Sequence, residues 1–367
     1  LAMQLVSFSC NAYSLVVRDI NLQPVNLFVG RNGNGKSHAL RCIEWLADVI
    51  SEKNWHPVIN RWKATFKDAK GNELTYSFGW AERFISIGYE DLFLNGTQLI
   101  KRNQDGCSVY SQVTGNKETI NPPKTKLVIN VRRDTKAHPE FEQLIQWAEG
   151  TYGFRFGTIV PDVTNISKRL SEFNFSPLNP DKTEYSSGDL FDELSLDQRT
   201  KVLGLMQDFG YDIEFLKEAS SSSIDMRSLY YSVKGIPEIY DTAVMSQGTY
   251  RVLILLLYFF RLLNKKELQL ILIDDLGEGL DYQRAVKLGK FIFDSCKAET
   301  VQLIATSNDG FLMDAIPIQY WNVLRRNGTE ISALNEKNHP EIFEKFTFTG
   351  LSNFDFFSSD YIDSHLG

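Results

Sequence analysis

Cysteine and histidine are sparse and scattered in this 367-residue chain. The cysteines stand at 10, 42, 107 and 296 with no C-x-x-C pair and no zinc spacing, which excludes a disulfide framework and leaves four reduced, buried thiols. His38, His56, His138, His339 and His365 are dispersed along the chain, so neither a histidine metal cluster nor a Ser-His-Asp arrangement is expected. Long apolar runs are also missing. The longest, Val252 to Phe260, falls well short of a bilayer span, and no basic segment followed by an apolar one opens the chain, so the expectation is a cytoplasmic protein with no membrane partner. Excess positive charge is missing as well: 39 Lys and Arg stand against 46 Asp and Glu, a net charge of −7. That balance excludes coating of nucleic acid by bulk electrostatics and confines any DNA contact to a local patch. No repeat, heptad run or low-complexity tract is present, which excludes solenoids, collagen-like chains and a long coiled-coil arm.

What the chain does have is core material: 43% hydrophobic residues, including 25 Phe, 15 Tyr and 6 Trp, enough for one large α/β domain carrying an inserted lobe. Gln4 to Cys10 and Val25 to Gly30 pattern as strands around an extended piece from Ser14 to Leu22, and helical spacing runs from Ser37 to a stop before Pro57. Residues 61–113 alternate apolar and polar between turns at Lys70-Gly71-Asn72, Asn95-Gly96 and Asp105-Gly106, which predicts an antiparallel β lobe. Lys126 to Val131 reads as a buried strand and Pro139 to Glu149 as a helix. A loop-rich stretch at 160–190, a helix between Ser195 and Phe209 and an exposed tip at Ser220 to Ser223 make an inserted, mostly helical lobe at 161–235. The two halves of the main domain are then 3–160 and 236–335. The second half alternates a helix from Gln247 to Leu263, a strand Leu268 to Ile273, a helix through 281–296 and a strand Val301 to Thr306. An aromatic tail, 336–367, is expected to pack on the body through Phe343, Phe346, Phe348, Phe354, Phe356, Phe357 and Tyr361.

Gly30-Arg31-Asn32-Gly33-Asn34-Gly35-Lys36-Ser37 fits G-x-x-x-x-G-K-[ST] between a strand and a helix, the setting in which such a loop binds phosphate. Glycines let backbone N–H groups turn toward a polyphosphate, and the helix N-terminus adds partial positive charge; His38 continues the segment. Lys36 would pair with the β- and γ-phosphates and Ser37 would ligate Mg²⁺. Such a site needs a carboxylate at the end of a buried strand. Leu270-Ile271-Leu272-Ile273-Asp274-Asp275 supplies two: Asp274 as the Mg²⁺ ligand, Asp275 to orient or deprotonate the attacking water.

Further along, Ser246-Gln247-Gly248-Thr249, then Asp274-Asp275-Leu276-Gly277-Glu278-Gly279-Leu280-Asp281, then Thr306-Ser307-Asn308-Asp309 resembles, in order and spacing, the ABC-type ATPases of the RecF, SMC and OLD (overcoming lysogenization defect) group. The resemblance implies an α/β P-loop ABC-type ATPase head, with ATP and Mg²⁺ held between two copies of the chain. Ser246 and Gly248 would then bind the γ-phosphate held by the other subunit, and Asp281 would lie at the interface. Ser246 and Asp281 also read as ordinary helix N-caps, a role compatible with the first. Asn308 stands where the family carries a switch histidine, and Asp275 where it carries glutamate. An amide cannot become a cation and the shorter carboxylate reaches less far, so slow hydrolysis is expected. Glu278, one turn on, is the alternative base.

The resemblance further implies a switch for a separate effector protein, such as a nuclease in prokaryotic anti-phage defence, because the stretch after Asn308 is too short for the Toprim nuclease of OLD proteins. A DNA-repair ATPase binding DNA itself and a nonhydrolysing ATP-bound scaffold are the alternatives. No glutamine loop is recognisable. Asn130, Arg132 and Arg133 read either as groups facing the γ-phosphate or a nucleic-acid ligand, or as a solvated basic face, and Tyr13 and Arg18 either as a base platform or as a core aromatic and a surface cation.

Overall fold

The computed structural model describes residues 3–54, 56, 59–81, 86–158, 187–220, 227–358 and 361–365. Its strands are β1 (Met3–Ala12), β2 (Leu15–Asn21), β3 (Val25–Val29), β4 (Ile59–Asp68), β5 (Glu73–Ala81), β6 (Ser86–Leu94), β7 (Thr97–Asn103), β8 (Gly106–Ser111), β9 (Asn116–Ile120), β10 (Thr151–Arg155), β11 (Ile213–Ser220), β12 (Arg227–Val233), β13 (Ile239–Asp241), β14 (Leu270–Asp274), β15 (Gln302–Thr306), β16 (Trp321–Asn327) and β17 (Glu330–Leu334). The helices used below are α1 (Lys36–Ile50), α2 (Val128–Val131), α3 (Pro139–Glu149), α4 (Ser187–Asp192), α5 (Leu196–Asp208), α6 (Gln247–Leu263), α7 (Tyr282–Ala298), α8 (Gly310–Ala315), α9 (Pro340–Thr347), α10 (Asn353–Ser358) and α11 (Tyr361–His365).

Fourteen strands form one sheet in the order β10-β14-β15-β3-β16-β17-β2-β1-β4-β5-β6-β7-β8-β9. Its first five strands are parallel, and β3, β14 and β15 are buried at every position. Such strands are covered on both faces, which is why their sequences are near-continuous aliphatic runs. Leu27, Val29, Ile271, Ile273 and Ala305 point into the core beneath α6 and α7, while Phe28, Leu270, Leu272 and Ile304 point into the core beneath α1 and α3. Helix α6 is buried nearly all round, from Val252 through Phe260, because α4 and α5 pack on its side away from the sheet.

The antiparallel hairpins expected at 61–113 form as β4 to β8, continuous through β1 with the main sheet, and β9 adds a further strand. The inserted segment carries α4 and α5 together with the antiparallel pair β11-β12, to which β13, just beyond the segment, adds a third strand. Residues 159–186 and 221–226, which hold most of the loop-rich stretch and of the serine tip, lie outside the described residues. The aromatic tail packs as expected where it is described: Phe343 and Phe346 close on Phe356 at 4.8 and 4.7 Å, and all three are buried. Phe348, 84% exposed, stays out of that cluster. All four cysteines are free and buried.

One expectation is corrected. Lys126 to Val131 is not a strand; a turn leads into the single-turn helix α2. The cause is tertiary. Both carboxylate oxygens of the fully buried Glu90 on β6 accept the single Val128 N–H, at 2.9 and 2.8 Å, which caps α2 from across the lobe. Tyr76 donates to the same carboxylate at 2.9 Å, and Arg102, 3.7 Å away, donates to the carbonyls of Lys126 and Pro123 at 2.7 and 3.0 Å.

Burial pushes Glu90 from an ordinary 4.5 up to about 7, against the pull of these donors. A carboxyl that holds its proton more tightly folded than unfolded stabilises the fold fully below the unfolded value, and that contribution is lost as pH rises through the folded one. The thermal midpoint should therefore fall between pH 5 and pH 8, and Glu90→Gln should flatten this slope; an unchanged slope in the variant would assign the dependence elsewhere.

Candidate functional site

Because β10, β14, β15 and β3 are parallel, their C-terminal ends lie along one edge of the sheet, the edge where α/β folds place ligands. From β3 the chain passes through Gly30–Gly35 straight into α1. That helix has no capping side chain and no acid in its first turn, so its leading N–H groups are free to meet an anion. Gly35 is the N-cap at φ +91°, a left-handed conformation that suits glycine, and a Cβ there would run into the Cδ1 of Ile331. The loop is tied to β16: Asn34 Nδ2 donates to the Leu324 carbonyl at 2.9 Å and Arg326 Nη1 to the Gly33 carbonyl at 3.4 Å. Arg31, Asn32 and Gly33 are exposed.

Lys36 is buried and folds back on the loop, with Nζ donating to the carbonyls of Gly30 at 2.7 Å and Arg31 at 3.4 Å. Burial lowers its pKa, and the carboxylates of Asp275 and Asp274 oppose that shift. Ser37 Oγ donates to Asp274 Oδ1 at 2.9 Å, and Thr306 Oγ1 donates to the same oxygen at 2.6 Å. Thr306 thus ties the end of β15 into the carboxylate that the phosphate loop also reaches. His38 turns to its own helix, hydrogen-bonding Cys42 and lying edge-on to Trp45 at 6.3 Å.

Asp275 is half-buried at φ +56°, in the left-handed region. Burial first, then Asp274 and Glu278, push its carboxyl from 3.8 up to about 6, with Lys36 and Arg41 opposing. Asp275 and Glu278 converge on Gly157, just past β10. A Cβ at Gly157 would collide with Glu278 Oε2 and sit 3.0 Å from Asp275 Cβ. Arg155, paired in register with Asp274, donates to Glu44 of α1 at 2.7 Å.

The structure therefore brings Lys36, Ser37, Asp274, Asp275 and Glu278 into one cleft. Ser246, Gly248 and Asp281 form a neighbouring ledge. Ser246 caps α6 by accepting the Thr249 N–H at 3.3 Å, and Asp281 caps α7 by accepting the Arg284 N–H at 3.2 Å. A Cβ on Gly248 would lie 3.3 Å from Leu280 Cδ2, so the two caps abut. Asn308 is exposed, just beyond β15.

Asn130, Arg132 and Arg133 do not join the cleft. Asn130 lies beside Val49 and Glu52 at the C-terminal end of α1, and Arg133 is held by Glu142 at 2.8 and 2.7 Å. Fifteen residues of helix, about 22 Å, separate that end from the phosphate loop. Arg155 to Thr158 reaches the carboxylates instead. Tyr13 is 65% exposed in the β1–β2 turn with its ring 6.4 Å from Trp45, and Arg18 pairs with Glu330. Sequence reasoning missed Thr306, Gly157 and the Glu44–Arg155 pair. Only Thr306, at a buried strand end just before the switch position, had a local signal.

The donor set suits a hard divalent cation: one hydroxyl and one carboxylate already meet at 2.9 Å, and both are oxygen ligands. Among the described residues, no group of three or more His, Cys, Asp and Glu side chains is placed to hold a metal ion. Among the same residues, no helix is long and apolar enough to cross a membrane.

No family model matches the chain, and no curated protein does. The fold is similar to that of an SMC head bound to the C-winged helix domain of ScpA, with TM-score 0.54 and 12% identity over 92% of this chain and 99% of that one. It is also similar to an SMC head domain with an extended coiled coil, bound to the C-terminal domain of ScpA derived from Pyrococcus furiosus, with TM-score 0.50 and 11% identity over 94% and 100% of the two chains. The chain thus has the mixed α/β fold seen in SMC head domains.

Gly35→Ala should lower stability by about 2 kcal/mol through the strained φ and the collision with Ile331. Ile331→Val removes the colliding Cδ1, so the double variant should recover part of the loss in thermal unfolding; strict additivity would place the strain elsewhere.

Proposed function

We propose that this chain binds and slowly hydrolyses ATP, and that two copies close around two nucleotides as a switch read by a separate effector protein. The observation that supports this reading is the meeting of Ser37 and Asp274 at 2.9 Å beside Lys36 and Asp275, which gathers a hydroxyl, an ammonium and two carboxyl groups where the glycine-rich loop enters α1. Lys36 would exchange its loop carbonyls for phosphate oxygens, and the uncapped N-terminus of α1 would receive the β-phosphate. Magnesium, held by Ser37 and Asp274, would neutralise phosphate charge. Asp275 would take a proton from water at its carboxylate oxygen, with its short side chain limiting the rate.

Ser246, Gly248 and Asp281 would face the partner copy's γ-phosphate. Both helix caps lie on one ledge, and the exposed N-terminus of α6 is suited to an anion. The SMC heads of similar fold are bound to ScpA; here too a distinct protein would read the closed state, and a nuclease acting in anti-phage defence is the effector we favour. Net charge of −7 weighs against direct DNA binding as the primary role.

Lys36→Ala should abolish ATP binding measured by calorimetry. Asp275→Asn should keep binding but lower phosphate release by about 100-fold or more. Sized with ATP and magnesium, Asp275→Asn should elute as a dimer and Asp275→Asn with Ser246→Arg as a monomer. A monomer in the first case refutes closure around nucleotide. Unaltered phosphate release refutes Asp275 as base, and wild-type release that is undetectable or rises with DNA supports the scaffold or the DNA-repair alternative.

A further inference from the structure

We infer that Thr306 and Ser307 are positioning residues that clamp the candidate base Asp275 in its left-handed conformation. The inference rests on the ATPase reading above and concerns residues that reading does not use. Both residues are fully buried at the end of β15. The Asp275 N–H donates to Thr306 Oγ1 at 2.8 Å, so that oxygen is an acceptor there. Its own proton then goes to Asp274 Oδ1 at 2.6 Å. One hydroxyl thereby fixes the side chain of the first aspartate and the backbone of the second.

Two further bonds hold the next residue. The Leu276 N–H donates to the Thr306 carbonyl at 2.9 Å, and Ser307 Oγ donates to the Leu276 carbonyl at 2.8 Å. The need for a clamp lies in the backbone: a non-glycine residue at φ +56° carries a cost of about 1 kcal/mol or more and persists only where its surroundings impose it. Without the clamp, residue 275 relaxes toward ordinary φ and its carboxylate swings away from the cleft, and a displacement of about 1 Å at a reacting group costs on the order of 100-fold in rate. Ser307 Oγ also accepts the Asp309 N–H at 3.0 Å, so the clamp is continuous with the turn that carries Asn308.

Thr306→Val replaces the hydroxyl by a methyl of nearly equal volume, and Thr306→Ser restores it. The valine variant should lose about 10- to 100-fold in kcat while KM and the ATP affinity measured by calorimetry stay within about 3-fold, and the serine variant should return to within about 3-fold of wild type. Ser307→Ala should lose about 3- to 10-fold in kcat, again without weakening binding. Thr306→Val with wild-type kcat, or Thr306→Ser as impaired as Thr306→Val, overturns the clamp. Should the valine variant fail to fold, Ser307→Ala decides: lowered kcat at constant KM supports the clamp, and unchanged kcat overturns it. Asp275→Asn run in parallel separates the two ideas, because intact hydrolysis in that variant refutes the base itself, whereas lost hydrolysis there with active Thr306→Val refutes only the clamp.

Discussion

Asp274 Oδ1 is the point on which the site depends. It accepts hydroxyls from Ser37 at the start of α1, 237 positions away in the chain, and from Thr306 at the end of β15, 32 positions away, and thus joins three segments. Two donors on one carboxylate oxygen hold the side chain in a single orientation and make the site rigid before any ligand arrives. The arrangement is possible because parallel pairing aligns the ends of β3, β14, β15 and β10 in register: Arg155 opposite Asp274, and Thr306 opposite Phe28.

Around that point the charges are set against one another. Burial lowers the pKa of Lys36 and raises that of Asp275, and each opposes the shift of the other. The pair lies at the N-terminus of α1, a helix with no acid in its own first turn. The antiparallel lobe makes its contribution at a distance. Glu90, with Tyr76 and Arg102, fixes α2 and the turn before it, and Lys126 of that turn pairs at the surface with Glu52 just past the end of α1.

The cleft was legible because its chemistry is local. Gly30 to Ser37 are consecutive and need only a strand before them and a helix after, and Leu270 to Asp275 is a run of aliphatics ending in acids. Gly157 was not legible, since nothing near it in the chain signals that Glu278 and Asp275 will crowd it. The strand expected at Lys126 to Val131 failed for a related reason. Four apolar positions in a short run suit strand and helix alike, and the choice was made by a carboxylate 38 residues away that accepts the Val128 N–H.

Sequence alone determined the glycine-rich loop between strand and helix, the paired carboxylates, the caps at Ser246 and Asp281 and the order of the main strands and helices, because each depends on neighbours a few positions away or on a periodicity of two or 3.6. Tertiary structure decided the merging of the β lobe into one sheet, the place of Asn130 and Arg133 away from the cleft, and the left-handed turn at Asp275 under Thr306 and Ser307. Those outcomes depend on which strand ends lie side by side. That is set by burial of whole faces across the domain, which no short stretch of the chain encodes.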